Sequence, residues 1–99
     1  MTNYETTYIA FPDAPEKKIS EINSKLTDII GKFKGEVKIV DDWGVRQLGY
    51  SIKRQQRGHY VHLQYRAEGN VAKELERTLL LRDDILKQLT IKIGKENAS

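Results

Sequence analysis

The sequence of 99 residues contains no cysteine, no long hydrophobic run and no glycine-rich phosphate-binding motif. The lack of cysteine excludes disulfides and thiolate metal sites, and it suits a reducing compartment. No apolar run approaches the roughly 20 residues that span a bilayer, and the first residues lack the basic and apolar regions of a signal peptide. We therefore expect a soluble, cytoplasmic protein that does not enter a membrane.

Catalytic and metal-binding constellations are also lacking. His59 and His62 are three residues apart, which places them on opposite faces of a strand, so they cannot share a metal. The paired aspartates at 41–42 and 83–84 fall at turns, where aspartate commonly binds backbone amides. The first strand-to-helix connection, 11–16, holds two acids and two prolines and makes a poor anion cradle for acylphosphate chemistry. We predict no enzymatic activity, metal, cofactor or small-molecule substrate.

Charge is nearly balanced, since 17 lysines and arginines stand against 14 aspartates and glutamates, with a net charge of +3 and a sequence pI of 9.2. So small an excess supports nucleic-acid binding only if the basic residues are concentrated in one place. At 11.4 kDa the chain has the size of one domain with one core. We predict a single domain over residues 1–94 and a short polar tail at 95–99.

Residues 41–65 have the pattern of two long strands joined by a basic connection. Apolar, strand-favouring side chains flank the polar run 53–58. They are Val45, Leu48, Tyr50 and Ile52 before the run and Tyr60, Val61, Leu63 and Tyr65 after it. In a strand of period two, Leu48, Tyr50 and Ile52 share one side, which we expect to be buried. Residues 41–44 are typical of a bend or bulge within a long ribbon.

A helix is predicted soon after the first strand. Asp13 followed by Glu16 forms a variant of the capping box, and Pro15 is tolerated in the first turn of a helix. Apolar residues then recur at three- and four-residue spacings and form one stripe. They are Ile19, Ile22, Leu26, Ile29, Ile30 and Phe33. Gly35 is expected to end this helix.

A second helix and a last strand complete the pattern. Asn70 is the expected cap of the helix, which should end near residues 82–84. Its apolar stripe consists of Val71, Ala72, Leu75 and Leu79, with Leu80 at the margin. In the last strand, apolar and polar residues alternate, namely Leu89, Ile91 and Ile93 with Gln88, Thr90 and Lys92. The predicted order of elements is βαββαβ.

Two helices with one apolar stripe each and four strands with one apolar face each pack most economically with both helices on the same side of an antiparallel sheet. The predicted fold class is therefore α+β, a ferredoxin-like βαββαβ two-layer sandwich with an antiparallel four-stranded sheet and two helices on one face. Strand 2 is then an edge strand. The second face of the sheet carries no helix, and we expect solvent or another molecule there.

The basic connection is the main candidate for a functional surface. Lys53, Arg54 and Arg57 place three positive charges in a short segment, and Arg46 lies on the strand that leads to it. Such a row of donors could contact phosphates. Charges at a hairpin tip can equally serve only to keep an edge strand soluble. The residues alone leave both interpretations open.

Strand 3 offers a further candidate. Tyr60, His62 and Gln64 lie opposite the apolar side of this strand, so that an aromatic ring and an imidazole could stack on bases or contact a protein partner. Arg57 and Gly58 match the opening of the RRM signature, but the residues that follow do not continue it in register. The motif therefore gives only weak support to an RRM-type stacking site.

Several motifs together resemble one known family. They are Tyr4-Glu5, Asp42-Trp43-Gly44-x-Arg46-Gln47-Leu48-x-Tyr50-x-Ile52, Gly58-His59-Tyr60-Val61, Leu81-Arg82-Asp83 and Ile85-Leu86. Over residues 3–93 the chain resembles the bacterial small-subunit ribosomal protein S-six family. The resemblance implies a ferredoxin-like fold, no enzymatic activity, and binding, together with small-subunit ribosomal protein eighteen, to the central domain of 16S ribosomal RNA during assembly of the subunit platform.

Four positions differ from the pattern of that family. Gly49 and Ser51 stand where the family usually has alanine and proline, so strand 2 gains an amide donor and loses the fixed φ of proline. Thr2 and Asn3 replace a start that commonly contains arginine. The differences bear on how the edge of strand 2 pairs and on any phosphate contact by the first residues.

The resulting hypothesis is a structural RNA-binding protein of the cytoplasmic ribosome, whose partners are 16S ribosomal RNA and protein eighteen. The predicted rRNA-binding residues are Arg46, Lys53, Arg54, Arg57, Tyr4, His62 and Lys92. The predicted edge for the protein partner comprises Val45, Leu48 and Tyr50. The alternative is a regulatory module of the same architecture that dimerises through its sheet and holds a metabolite at the interface.

Overall fold

Four strands and two helices make up the fold in a computed structural model that describes residues 1–95, with side chains described for residues 1–93. The elements are β1 (Thr2–Ala10), α1 (Glu16–Lys32), β2 (Glu36–Ile52), β3 (Gln55–Ala67), α2 (Val71–Leu80) and β4 (Ile85–Lys95). Neighbouring strands are antiparallel, in the order β2-β3-β1-β4. The predicted ferredoxin-like order is confirmed, with β2 at an edge. Residues 96–99 of the predicted polar tail lie outside the described part of the chain.

Both helices cover the same face of the sheet and enclose the main core against it. Tyr8 of β1 and Val61, Leu63 and Tyr65 of β3 are at most 1% exposed. The buried residues of the helical stripes are Ile19, Ile22, Leu26, Ile29 and Ile30 of α1 and Val71, Leu75 and Leu79 of α2. Each large apolar side chain buried in this way contributes about 1.5–3 kcal/mol, so this layer is the main source of stability.

A polar group lies within the core beneath the helices. Thr6 is fully buried, and its Oγ1 lies 2.8 Å from the Tyr65 hydroxyl and 2.9 Å from Thr90 Oγ1. Burial raises the pKa of Tyr65 to about 12, so the phenol is neutral at ordinary pH. Because Thr6 and Thr90 pair across β1 and β4 and both face the core, Leu89 and Ile91 face the opposite side of the sheet.

The expectation that the apolar side of β4 packs under the helices is therefore wrong. Leu89, Ile91 and Ile93 are 58%, 47% and 53% exposed. At the start of the strand, Ile85 supplies the side chain that enters the main core. The predicted alternation is present, but alternation only assigns the residues to two faces of the strand and does not determine which face is buried.

The first helix begins later than predicted. Pro15 is its N-cap residue and no side chain caps it, so the capping role predicted for Asp13 is wrong. Pro15 is extended, with φ −62° and ψ 151°, and its carbonyl accepts hydrogen bonds from the amides of Lys18 and Ile19. The physical reason is that a proline pushes the residue before it out of the helical region, so α1 cannot extend further back.

The C-terminus of α1 is a Schellman motif. The amide of Gly35 donates to the Ile30 carbonyl at 2.9 Å, and the amide of Lys34 donates to the Gly31 carbonyl at 3.0 Å. The left-handed residue is Lys34, with φ 59°, and not Gly35, which the sequence led us to expect as the terminator. Gly35 is the following residue of the same motif, and it serves close packing instead.

The second helix begins after Asn70, as predicted. The Asn70 side chain makes no capping hydrogen bond, and its carbonyl accepts the Glu74 amide at 3.1 Å. The helix ends at Leu80, which is 64% exposed, so the prediction that this residue lies at the margin of the apolar stripe was wrong. Beyond it, Arg82 donates two hydrogen bonds of 2.9 Å to Asp84, and this contact lowers the pKa of the Asp84 carboxyl.

Candidate nucleic-acid interface

The second strand stays paired with β3 through a bulge. The register shifts between Asp42 and Gly44, so Trp43 is the extra residue. Gly44 has a left-handed φ of 77°, and its amide donates a 2.9 Å hydrogen bond to Asp42 Oδ1. The predicted bulge within a long ribbon is confirmed. It directs the Trp43 ring over the helix-free face of the sheet, which we call the open face.

Trp43 is the centre of a column of stacked groups on the open face. Its ring stacks on the His62 imidazole at a centroid distance of 5.0 Å and an interplanar angle of 10°. The Arg46 guanidinium lies 5.8 Å from the Trp43 ring centroid, and its Nε donates to the Trp43 carbonyl at 3.2 Å. On the side of β1, His62 Nδ1 lies 2.8 Å from Thr7 Oγ1, and His62 Nε2 lies 3.9 Å from Glu5 Oε1. The column holds Arg46 at the surface.

Three of the predicted rRNA-binding residues are either packed against neighbouring side chains or far from the basic hairpin. His62 is 9% exposed beneath Trp43. Tyr4 stacks on Tyr65 at 5.6 Å and packs against the main core. Lys92 pairs with Tyr4 near the end of the sheet opposite the hairpin tip. Roles in RNA binding for Tyr4, His62 and Lys92 stay predictions.

The hairpin between β2 and β3 turns through two basic residues. Ile52 pairs with Gln55, and the residues between them, Lys53 and Arg54, have φ values of 49° and 66°. Two successive positive φ values are the geometry of the type I′ turn, which favours asparagine and glycine. A left-handed conformation costs an ordinary residue about 1 kcal/mol or more, so the two basic residues are held at strained positions.

The basic side chains of the hairpin differ in how far they are engaged. Lys53 Nζ donates a 3.0 Å hydrogen bond to the Ile85 carbonyl at the start of β4. Arg54 and Arg57 are exposed. Among the side chains of residues 1–93, no carboxylate lies within 4.0 Å of a side-chain nitrogen of Arg46, Lys53, Arg54 or Arg57. Their charges are therefore available to an anionic partner.

Residues 48–51 leave the β2–β3 ladder, because the register passes from Gln47–Arg57 directly to Ile52–Gln55. Leu48 is 8% exposed and packs with Ile9 and Leu86 in a second, smaller core. Tyr50 is 65% exposed, so the prediction that it is buried on the same side of the strand as Leu48 was wrong. Without a ladder partner, the strict alternation of a strand no longer holds.

Tyr50 instead reaches across the end of the sheet. Its hydroxyl accepts a 3.0 Å hydrogen bond from Lys87 Nζ, which also lies 5.6 Å from the Tyr50 ring centroid. The hydrogen bond raises the pKa of Lys87. Of the predicted partner edge, Val45 and Tyr50 are exposed and Leu48 is buried. Whether a partner contacts these residues stays a prediction.

Sequence reasoning missed two features of this surface. The first is the stack of Trp43 on His62, whose only sequence signal was the bulge predicted at 41–44. The second is the contact between Lys87 and Tyr50, for which the sequence carried no signal, because the two residues are 37 positions apart. Both contacts join residues that are far apart in the sequence, and they form only because the sheet brings their segments together.

The strand order, the two helices on one face and the basic hairpin define the protein as a ferredoxin-like α+β domain with an open sheet face. Within residues 1–95, no three side chains of His, Cys, Asp or Glu are grouped so that they could bind a metal ion. None of the helices described there has the length and apolarity needed to cross a membrane.

Comparisons with known proteins identify the family. The model of the family described as Ribosomal protein S6 matches residues 3–92. The small ribosomal subunit protein bS6 of Geobacter metallireducens is 40% identical over 100% of this chain and 84% of the relative, and that of Geobacter sulfurreducens is 38% identical over 97% and 82%. The crystal structure of 30S ribosomal protein S6 from Thermotoga maritima has 27% identity and a TM-score of 0.83, over 92% of this chain and 86% of that one. The chain belongs to the ribosomal protein S6 family, which confirms the resemblance.

Proposed function

We propose that this protein is a non-catalytic structural constituent of the small ribosomal subunit that binds the central domain of 16S ribosomal RNA together with protein eighteen. The observation that carries the proposal is the basic hairpin of a ribosomal protein S6 family member, with Arg54 and Arg57 exposed and no carboxylate beside them among the described side chains. The family membership favours this function over the alternative of a metabolite-binding module.

In this proposal the hairpin contacts the phosphate backbone. Arginine and lysine donors fix a protein on RNA through charge-assisted hydrogen bonds to phosphate oxygens. Arg46 is held by the Trp43 column, and Lys53 is tethered at Ile85, so both extend the basic surface from defined positions. Arg54 and Arg57 supply the exposed charges. Tyr4, His62 and Lys92 belong to the proposed surface only as more distant contributors.

The protein partner is proposed to use the outer edge of β2. Within residues 1–95 this strand pairs only with β3, and its residues 48–51 have no partner in that ladder. Val45 lies before the unpaired segment and Tyr50 within it, both with exposed side chains, and Gly49 and Ser51 are small residues of the same segment. An unpaired strand edge is a template for backbone pairing with another chain.

The proposal is tested by assembling the purified protein with a central-domain fragment of 16S ribosomal RNA. We expect the protein to cosediment with this fragment when protein eighteen is present, and to be released as salt is raised. A fragment of equal length from another domain of the same RNA is the control. Equal cosedimentation with both fragments, or none with either, would refute the proposed function.

A further inference from the structure

The bulge in β2 is closed by the side chain of Asp42. Its Oδ1 atom accepts a 2.9 Å hydrogen bond from the amide of Gly44, which forms a tight turn around Trp43. Gly44 has a φ of 77°, a conformation that glycine adopts at little cost. The turn shifts the register of β2 against β3 and makes Trp43 the extra residue of the ladder. The shape of the bulge therefore depends on the Asp42 carboxylate.

His59 of β3 holds the same carboxylate from the neighbouring strand. Its Nε2 atom lies 2.6 Å from Asp42 Oδ1, and the His59 side chain is only 14% exposed. An ionised carboxylate can only accept a hydrogen bond, so the imidazole nitrogen carries the proton and donates it. In the ladder, His59 pairs with Val45, whereas Asp42 pairs with Val61. The contact therefore runs diagonally across the bulge and fixes both of its ends against β3.

The Asp42–His59 contact and the Trp43 column lie on opposite faces of the sheet. Asp42 lines a groove beside α1. On β3, His59 has the parity of Val61, which is fully buried under the helices. His62 has the opposite parity and carries the Trp43 ring on the open face. The contact can therefore act on the indole ring only through the backbone of the bulge.

The bulge positions Arg46 in two ways. The Arg46 guanidinium lies 5.8 Å from the centroid of the Trp43 ring, and its Nε donates a 3.2 Å hydrogen bond to the Trp43 carbonyl. Both partners belong to the extra residue of the bulge, so both contacts change if the bulge changes shape. An arginine that is already held in one orientation loses less conformational entropy when it binds a phosphate.

We propose that Asp42 and His59 are positioning residues for RNA binding, because their hydrogen bond fixes the bulge that holds Arg46 toward a phosphate. Neither residue contacts RNA itself. The inference rests on the proposed function, in which Arg46 contacts the phosphate backbone. Net charge alone would make the loss of a carboxylate strengthen the binding of RNA. Positioning reverses this sign, since the loss of Asp42 releases Arg46.

The first test compares Asp42→Ala with its neighbour Asp41→Ala, by binding to the central-domain fragment with protein eighteen over a series of salt concentrations. Asp41 is exposed and makes no side-chain hydrogen bond or ion pair within residues 1–93, so it is matched in charge. We expect Asp42→Ala to bind about three- to tenfold more weakly, with a salt slope shallower by up to about 0.7–0.9, the value of one contact. Asp41→Ala should bind at least as tightly as the unmodified protein. Binding by Asp42→Ala that equals or exceeds that of Asp41→Ala would overturn the inference.

A double-mutant cycle determines whether the effect passes through Arg46. If it does, adding Asp42→Ala to Arg46→Gln causes little further loss of RNA affinity, because the contact that Asp42 positions is already missing. Fully additive losses would show that Asp42 acts by another route, and the inference would be wrong. Melting curves verify that the single and double variants are folded.

Trp43 is the sole tryptophan of the chain, so its fluorescence reports the column directly. In Asp42→Ala and His59→Leu we expect emission at longer wavelength and stronger quenching by acrylamide, because the indole separates from His62. His59→Gln retains an N–H donor and should restore both the emission and the RNA affinity to within about twofold. A purely structural role would lower the melting temperature without altering the emission of the folded protein. Unchanged emission in folded Asp42→Ala and His59→Leu would therefore contradict the positioning role.

The results distinguish a failure of the positioning role from a failure of the proposed function. If the unmodified protein does not bind the RNA fragment, the proposed function fails and the positioning role fails with it. If the unmodified protein binds and Asp42→Ala binds equally well, only the positioning role fails. Should Asp42→Ala not fold, His59→Leu and His59→Gln provide the same comparison in both assays.

Discussion

Replacing Lys53 by asparagine and Arg54 by glycine is expected to stabilise the protein and to weaken its binding to RNA at the same time. Both residues have left-handed backbone conformations, which asparagine and glycine adopt readily. The variant loses the hydrogen bond from Lys53 to the Ile85 carbonyl, but we expect a net gain of about 1 kcal/mol from the relief of strain. Urea denaturation at neutral pH measures this gain.

The same variant removes two of the four proposed phosphate contacts. With about −0.7 to −0.9 per contact, the slope of log K against log salt concentration should change from about −3 to −4 in the unmodified protein to about −1.5 to −2. At moderate salt we expect affinity for the central-domain fragment to fall by about 10- to 100-fold, because each charge-assisted hydrogen bond contributes about 1 kcal/mol or more. Filter binding over a series of salt concentrations gives both quantities.

A matched control separates the position of the charges from their number. Lys17→Gln/Lys25→Gln removes two positive charges from exposed positions of α1. We expect it to leave the slope nearly unchanged. Equal weakening by both variants would show that only net charge matters. A hairpin variant that binds RNA as well as the unmodified protein would exclude a phosphate role for Lys53 and Arg54.

Replacing Gly35 by alanine is expected to destabilise the protein by about 2–3 kcal/mol, since overpacking without room to relax has costs of this size. A Cβ at this position would contact the Arg66 carbonyl oxygen and would lie 2.6 Å from the Ala67 Cβ and 2.8 Å from Ile30 Cγ2. The chain therefore has to move where α1 leads into β2. For a domain of this size the melting temperature should fall by about 10 °C or more.

Gly31 provides the matched control on the same helix. Among the described residues, a Cβ there would lie more than 4 Å from every atom outside its own stretch of the helix, and the residue lies inside α1. Gly31→Ala should therefore raise stability by about 0.5–1 kcal/mol through helix propensity alone. Calorimetric melting should therefore show a lower melting temperature for Gly35→Ala and a higher one for Gly31→Ala than for the unmodified protein. Similar effects from both substitutions would mean that close packing at Gly35 does not limit stability.

The fold was predictable because its signals are local and periodic. The stripe of α1 identified its buried residues, and the segment 41–44 indicated the bulge that keeps β2 continuous. Where a helix starts was less predictable, since Asp13 and Glu16 matched a capping box although Pro15 excludes a helix before it. Two valid local rules competed there, and the restriction imposed by proline was the stronger.

Which face of a strand is buried depends on its neighbours. Leu89 and Ile91 have the alternation of a core strand, yet the pairing of Thr6 with Thr90 turns the polar side of β4 toward the helices. The basic hairpin shows the same limit. The position of Arg57 near its tip was evident in the sequence, whereas the hydrogen bond from Lys53 to Ile85 was not, because it joins segments that meet only in the folded sheet.

We propose that the basic hairpin, and not the helical layer, faces ribosomal RNA, and cross-linking from the two sides of the domain tests this orientation. Since the chain has no cysteine, a single thiol can be introduced at Gln56 beside the turn or at Ser24 on α1, both of which are exposed, and each can be labelled with a photoactivated RNA cross-linker. In complexes with the central-domain fragment and protein eighteen, we expect strong cross-linking to RNA from Gln56→Cys and little from Ser24→Cys. Equal cross-linking from both positions, or stronger cross-linking from Ser24→Cys, would show that the hairpin is not the side of the domain that faces RNA.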